Sequence, residues 1–208
     1  MAAEIINQIY QELGTRNREF IVFPKLDPAV SSGVLKKLHP PDADTLGFRV
    51  HFIAPDGYLR VVMAGPLHET SVTWMRRECL SWAYDGLLTP RGYRQMTDSL
   101  ILHNNFVGAF AGSRKTPDLT YTPIINGIRR EFPTVVLESG WSESRAQLKI
   151  FPGSTSPVTD PHITAEELFD GRPPEDMEGR TELPLSLEEL RLAAREEILQ
   201  QGYIPKLC

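Results

Sequence analysis

The chain has 208 residues, enough for one well-packed domain with an additional segment. Its composition, 41% hydrophobic and 24% charged, is that of an ordinary globular protein, and no apolar run approaches the roughly 20 residues of a membrane-spanning helix. The net charge of −5 argues against a general nucleic-acid-binding protein. A local basic face is still allowed, because residues 159–208 carry 12 acidic and 5 basic side chains whereas residues 1–158 carry 15 and 17.

The two cysteines, Cys79 and Cys208, form neither a CxxC pair nor a metal-ligand pattern. We therefore expect a reduced intracellular compartment, either cytoplasm or nucleus. The first residues lack a basic segment followed by an apolar core, so we expect no signal peptide and no membrane partner.

The N-terminal part predicts one helix and one hairpin. The segment 3–13 has the apolar stripe of an amphipathic helix, formed by Ile5, Ile6, Ile9, Tyr10 and Leu13. The segment 24–41 is rich in proline, serine and lysine and predicts an irregular lead-in. Alternating apolar residues at 46–53 and a β-prone run at 58–64 flank a turn at 54–57, which predicts a β-hairpin.

A long helix is predicted from Pro66 to about Tyr84, ending before Gly86, with apolar residues at helical spacing: Val72, Met75, Cys79 and Trp82. Glu69 lies in its first turn, where the helix dipole alone would stabilise a carboxylate. The short apolar runs 99–102 and 106–111 predict a small hairpin or a strand with an insertion.

Two carboxylates stand at the ends of two predicted strands, 119–122 and 134–137, which are joined by the turn residues Pro123, Asn126 and Gly127. If these strands pair, Asp118 and Glu138 converge at one end of the sheet and form an oxygen-rich site suited to Mg²⁺ or Mn²⁺. The alternative is structural, with Asp118 capping a turn and Glu138 marking where a buried strand reaches solvent.

The C-terminal part predicts short helices and a linker. Residues 142–148 begin like a helix, and 151–157 have a linker composition. Capping boxes at 164–167 and 186–189 predict helices over 165–169 and 187–201, the second with the apolar stripe Leu187, Leu190, Ala194 and Ile198.

The order of these motifs resembles the restriction-endonuclease-like PD-(D/E)XK superfamily. The matching residues lie within about 45–148 and comprise His68-Glu69 opening a helix, Pro117-Asp118, the strand segment 132–138, and Ser142-Glu143-Ser144. Within this superfamily the chain is similar, more specifically, to a branch whose members carry the sequence motifs H-E, P-D and E-x-x-x-S-E. It implies an α+β (α/β) fold in which helices flank a mixed β-sheet core.

The resemblance also implies a site. Glu69, Asp118 and Glu138 would hold Mg²⁺ or Mn²⁺, which polarises a phosphodiester and generates a hydroxide nucleophile. Catalytic members place a lysine two residues after the strand glutamate, where this chain has Gly140. Arg145 or Lys149 would be the substitute, and lysine is the better water activator because arginine stays protonated.

A second difference from the family comes after Leu148, where the family's sequence pattern stops and the predicted linker at 151–157 follows instead. Either the fold is shortened there or an internal segment is missing, and an exposed sheet edge would then favour homo-oligomers. The predicted organisation is a lead-in at 1–45, a nuclease-like core at 46–150, and a linker with an acidic helical appendage at 151–208.

Three functions are consistent with these observations. The missing lysine favours a nuclease-like domain without catalysis that serves as a binding or interaction module. The first alternative is a divalent-metal-dependent nuclease that hydrolyses DNA or RNA, so that nucleic acid is the expected partner. The second is an accessory protein of a fungal biosynthetic pathway, because a fold does not fix a function.

Overall fold

The structure is a computed structural model that describes residues 1–15, 18–38, 48–99, 105–139, 159–177 and 182–202. Its helices are α1 (Ala2–Thr15), α2 (Pro28–Leu38), α3 (Pro66–Tyr84), α4 (Pro90–Arg94), α5 (Ala165–Leu168) and α6 (Leu187–Gln200). Its strands are β1 (Phe20–Phe23), β2 (Arg49–Ile53), β3 (Tyr58–Val62), β4 (Met96–Ser99), β5 (Arg114–Lys115), β6 (Leu119–Ile125), β7 (Ile128–Arg129), β8 (Val135–Leu137), β9 (His162–Thr164) and β10 (Glu182–Pro184). The predicted α+β class is confirmed.

The chain divides into two compact units. The first comprises Met1–Gly65 and Leu100–Pro117, and the second comprises Pro66–Ser99 and Asp118–Cys208. Each unit is therefore built from two separate stretches of sequence. The predicted core segment 46–150 has residues in both units, and the predicted boundaries stay a prediction.

The first unit is a four-stranded antiparallel sheet in the order β1-β3-β2-β5. Alternate strand residues, among them Val50 and Val61, are fully buried together with residues of α1 and α2 such as Ile9 and Leu38. The two helices therefore cover one face of the sheet. The predicted stripe of α1 is confirmed for Ile5, Ile6 and Ile9, whereas Tyr10 is exposed.

The predicted hairpin is formed by β2 and β3, joined by a short 3₁₀ turn and Gly57. Gly57 has φ of +58°, and a Cβ there would lie 2.4 Å from the carbonyl oxygen of Leu26. The Leu26 amide also donates a 2.7 Å hydrogen bond to the Gly57 carbonyl. Glycine is required at this turn for both its backbone conformation and the close approach of a neighbouring segment.

Two predictions in the first unit are wrong. The lead-in at 24–41 contains α2, whose buried residues Ser31, Val34, Leu35 and Leu38 follow helical spacing, and whose start is capped by Asp27 through a 2.9 Å hydrogen bond from the Ala29 amide. The run 106–111 is not a strand but contains a 3₁₀ turn at Gly108–Phe110, and Val107 is 79% exposed. Apolar character alone does not make a strand where no neighbouring strand pairs with it.

In the second unit α3 packs against a sheet whose central strand is β6. Both β4 and β8 pair with β6. The predicted inner face of α3 is confirmed, because Val72, Met75, Cys79 and Trp82 are all buried. A two-residue turn, Asn126-Gly127, joins β6 to β7, and both residues have positive φ as such hairpins require.

Two details of this sheet differ from the prediction. Pro123, predicted to be a turn residue, lies inside β6 opposite Met96. β8, predicted to be buried, is only half-buried, and Val136 is 51% exposed. Within the described residues β8 pairs with β6 alone, so one of its sides is not covered by another strand.

The acidic C-terminal segment is helical as predicted, with the capping box at Thr164–Glu167 and the Ser186 cap both formed. It is not peripheral to the second unit, because Leu168, Phe169, Met177 and Leu183 are fully buried in the core that contains Trp82. The residues 142–148 and 151–157, predicted to be a helix start and a linker, lie outside the described residues.

One face of α3 binds the backbone that leads into α6. Trp74, Glu78 and Trp82 lie at successive four-residue intervals, so they share a face of the helix. The Trp74 indole donates to the Ser186 carbonyl at 2.9 Å and the Trp82 indole to the Pro184 carbonyl at 2.6 Å. The Glu78 carboxylate accepts the Ser186 amide at 3.1 Å. These three side chains thus pair with backbone groups of Pro184 and Ser186.

None of the helices in the described ranges combines the length and the apolar character that crossing a bilayer requires.

Burial of Glu78 raises the pKa of its carboxyl above the ordinary 4.5, against the opposing effect of the hydrogen bond from the Ser186 amide. A raised pKa in the folded state means that Glu78 contributes stability below its ordinary pKa and loses that contribution as the pH rises through the raised value. At pH 7 the raised pKa of Glu78 therefore lowers the stability of the fold relative to acidic pH. We expect Glu78→Gln, which keeps an oxygen acceptor, to increase the free energy of unfolding at pH 7.

The measurement is urea unfolding of the parent and of Glu78→Gln at pH 7 and at pH 4. The advantage of the glutamine variant shrinks at pH 4, where the parent carboxyl is protonated. Glu78→Leu is the control, because it removes the acceptor of the Ser186 amide and is expected to destabilise at both pH values. A glutamine variant that is less stable than the parent by the same amount at both pH values would contradict the argument.

Candidate functional site

The predicted pairing of the two carboxylate-bearing strands is confirmed. β6 and β8 run antiparallel with Leu119 opposite Leu137, so the next positions along the ladder are Asp118 and Glu138. These positions are 20 residues apart in sequence and reach the same end of the strand pair. The β-branched run of β8 and the turn chemistry between the strands account for this arrangement.

Asp118 is buried, with 2% of the residue exposed, and both of its oxygens accept hydrogen bonds from the protein. His68, in the first turn of α3, lies 2.8 Å from Oδ1 through its Nε2. Because an ionised carboxylate can only accept, Nε2 carries the proton of this hydrogen bond. The Ser139 amide donates to Oδ2. Two donors thus hold a carboxylate whose burial would otherwise be costly.

His68 is the residue that the sequence reasoning overlooked. The dipeptide His68-Glu69 at a helix start was the available signal, but only the glutamate was considered as a ligand. The structure brings the histidine, 10% exposed, into contact with Asp118 from 50 positions away in the sequence. Glu69 follows it in the first turn and is half-buried, and Glu138 is exposed.

A three-carboxylate metal site stays a prediction. Within the described residues, which include Glu69, Asp118 and Glu138, no group of three or more His, Cys, Asp or Glu side chains is close enough to hold a metal ion. Their chemistry fits Mg²⁺ or Mn²⁺, since carboxylate oxygens are the ligands that these ions prefer. Arg145 and Lys149, the candidate basic residues, lie outside the described residues, as does Gly140.

The first unit carries a row of basic side chains across its sheet. His51 of β2 is opposite Arg60 of β3 and opposite Lys115 of β5, so the three residues share the face that α1 and α2 do not cover. All three are half-buried, and the Arg60 guanidinium lies 4.8 Å from the centre of the Phe20 ring. Nε2 of His51 and Nε of Arg60 are buried within this row.

No family model matches this chain, and no curated protein or solved structure matches it either.

The geometry predicts that Asp118 stabilises the fold. We expect Asp118→Ala to lower the free energy of unfolding by about 2–3 kcal/mol, because it leaves the His68 and Ser139 donors without their acceptor in a buried position. Asp118→Asn, which keeps one acceptor oxygen, should cost less. Denaturant unfolding in EDTA measures both values.

The control is Asp98→Ala, which removes an exposed carboxylate paired with Arg76 and should change stability by less than about 0.5 kcal/mol. A carboxylate kept only for metal binding behaves in the opposite way, because its removal relieves repulsion and stabilises the protein without metal. Unchanged or increased stability of Asp118→Ala would therefore contradict a structural role.

Proposed function

We propose that this protein is a nuclease-like domain of the restriction-endonuclease-like PD-(D/E)XK type that has lost catalysis and acts as a binding module. The order of motifs and the mixed α+β fold support the family. The absence of a lysine two residues after Glu138 supports the loss of catalysis. Nucleic acid is the partner that this fold and the excess of basic side chains in the first unit favour.

One observation carries the proposal, namely the hydrogen bonding of Asp118. In members of the superfamily the corresponding aspartate is a ligand of the metal ion, so it must offer the ion at least one oxygen atom. Here Oδ1 accepts from His68 and Oδ2 from the Ser139 amide, inside a site that leaves 2% of the residue exposed. Binding an ion would require sharing or breaking these charge-assisted hydrogen bonds and admitting its remaining ligands to a buried position. The carboxylate is thus used for structure.

A metal-dependent nuclease is the second candidate, and the β6–β8 register favours it. That register directs positions 118 and 138 to one end of the ladder, and Glu69 follows the histidine that contacts Asp118. Glu69, Asp118 and Glu138 would hold Mg²⁺ or Mn²⁺, which when bound polarises the phosphodiester and lowers the pKa of water. Lys149 or Arg145 would hold the phosphate.

The charge distribution supports a polyanionic partner for the first unit. Residues 1–65 and 100–117 carry 7 acidic and 9 basic side chains, whereas the rest of the chain holds 20 acidic and 13 basic ones. Arg60, His51 and Lys115 form a straight row across three strands, and neighbouring strands are about 4.8 Å apart. An excess of basic side chains in this unit suits a nucleic-acid backbone, whose phosphates are recognised by charge without base contacts.

The metal experiment separates the two candidates. We expect isothermal titration of Mn²⁺ into the parent protein to give the same weak heat as titration into Asp118→Asn and Glu138→Gln. We also expect no cleavage of plasmid or single-stranded DNA in Mn²⁺. Saturable binding of Mn²⁺ that both substitutions abolish, together with cleavage, would establish the nuclease and end the proposal of a non-catalytic module.

The nucleic-acid experiment tests the module itself. Fluorescence anisotropy with a labelled 20-nucleotide single strand and its duplex should show binding in EDTA that weakens as salt rises. Lys115→Gln is expected to reduce the slope of log affinity against log salt by about one, the loss of one phosphate contact. Lys37→Gln, an exposed change on α2 of the same unit, is the matched control and should leave the slope unchanged. No binding at 50 mM salt would reject nucleic acid as the partner.

A further inference from the structure

The hairpin of β6 and β7 extends beyond the rest of the sheet in the second unit. Within the described residues, the last two residues of β6 pair with β7 and with no other strand, and the turn Asn126-Gly127 joins the two strands. Every residue from 126 to 132 is exposed. Residues 124–129 therefore form a two-stranded ribbon whose end stands in solvent, and we name them the ribbon tip.

The ribbon tip carries positive charge on an otherwise acidic unit. Arg129 and Arg130 follow the turn, and Arg172 lies two residues after Asp170, which is the ion-pair partner of Arg130. Together with Asp170 and Glu131, these arginines have a net charge of +1, whereas the rest of the second unit carries 18 acidic and 10 basic side chains. In the part of the chain that the structure describes, neither Arg129 nor Arg172 forms an ion pair. Because charges more than about 8 Å away are screened at physiological salt, these two arginines act locally on a partner.

The strand register distributes the arginines over both faces of the ribbon. Neighbouring residues of a strand point to opposite faces, so Arg129 and Arg130 lie on different faces. The ion pair with Asp170, just after α5, places Arg130 on the side of α5, where Arg172 also lies. A partner that receives the ribbon tip therefore meets positive charge on two sides. This arrangement suits a groove with two anionic walls better than a flat acidic surface.

The dimensions of the ribbon tip select the kind of groove. Two strands about 4.8 Å apart, with side chains on both faces, are roughly 10 Å thick, and three residues per strand extend about 10 Å. The major groove of B-form DNA is about 12 Å wide and 8.5 Å deep and admits such a ribbon, whereas the minor groove is only about 6 Å wide. The major groove of A-form RNA is too narrow for side chains to read. Duplex DNA is therefore the nucleic acid that fits.

We propose that the ribbon tip enters the major groove of duplex DNA, with Arg129 against the phosphates of one strand and Arg172 against those of the other. Contacts to phosphates carry no sequence information, so this binding does not select a sequence. The inference rests on the proposed function, which makes nucleic acid the partner, and it adds the form of nucleic acid and the segment that contacts it. The ribbon tip is at the end of β6 away from Asp118, so its variants leave that carboxylate in place.

The experiment compares Arg129→Gln with Arg195→Gln by fluorescence anisotropy in EDTA. The probes are a labelled 20-base-pair DNA duplex, the RNA duplex of the same sequence and the single DNA strand. Both changes remove an exposed arginine from the second unit, but Arg195 lies on α6. We expect Arg129→Gln to weaken binding of the DNA duplex about fivefold at 50 mM salt and to reduce the slope of log affinity against log salt by about one. Arg195→Gln should bind like the parent, and Arg129→Gln should bind the RNA duplex and the single strand like the parent.

A second matched pair of variants introduces a negative charge. Ile128→Glu in the ribbon tip and Leu199→Glu on α6 each replace an apolar side chain that is more than half exposed, 72% and 52%. Ile128→Glu should weaken binding of the DNA duplex about tenfold, because its carboxylate repels the phosphates of the groove. Leu199→Glu should leave the affinity unchanged. Both variants should unfold at the same urea concentration as the parent, because exposed positions contribute little to stability.

The outcomes for the ribbon tip and for the proposed function are distinct. Equal affinity of Arg129→Gln and Arg195→Gln for the DNA duplex would reject the ribbon tip as the contact and leave the proposed binding module standing. An equal loss of affinity for the DNA duplex, the RNA duplex and the single strand in Arg129→Gln would reject insertion into the major groove. Binding of polyglutamate that depends on Arg129 to the same extent would identify an acidic protein as the partner and overturn the proposal. Absence of binding to all three nucleic acids would reject the proposed function together with this inference.

Discussion

The hydrogen bond between His68 and Asp118 ties the first turn of the longest helix to the start of the central strand of the second unit. It joins the buried Asp118 carboxylate to the half-buried His68 ring, so removing either side chain costs the other this hydrogen bond. It also fixes where α3 begins relative to β6. From that point the inner face of α3 covers the sheet, one flank binds the segment before α6, and its outer face borders a cleft of about 270 Å³.

The same helix contacts different parts of the second unit with different residues, and side-chain spacing explains how. Residues 72, 75, 79 and 82 face the core, whereas 74, 78 and 82 contact the backbone at 184–186. Arg76 and Leu80 lie on the remaining surface.

Much of the fold could be predicted from local signals. The hairpin followed from its turn, α3 from its apolar spacing, and the last helices from their capping boxes, because each signal lies within a few residues. α2 was missed because its proline, serine and lysine content suggested a loop, although its buried residues follow helical spacing. β1 has only four residues and no alternation of apolar and polar residues, and it is a strand because β3 pairs with it from across the sequence.

The candidate site was likewise predicted only in part. The pairing of β6 with β8 could be predicted from local signals, whereas the contact between His68 and Asp118 depends on tertiary packing that no sequence spacing encodes.

The interleaving of the two units in the sequence has a consequence for biosynthesis. The first unit has all of its residues once position 117 has left the ribosome, whereas the core of the second unit needs Leu183 and Leu187. At about 5–20 residues per second, at least several seconds separate these events. During that interval α3 has been made, but Pro184 and Ser186, the backbone partners of Trp82 and Trp74, have not. Nascent chains of this protein thus pass through a stage at which Trp74 and Trp82 have been synthesised before their backbone partners.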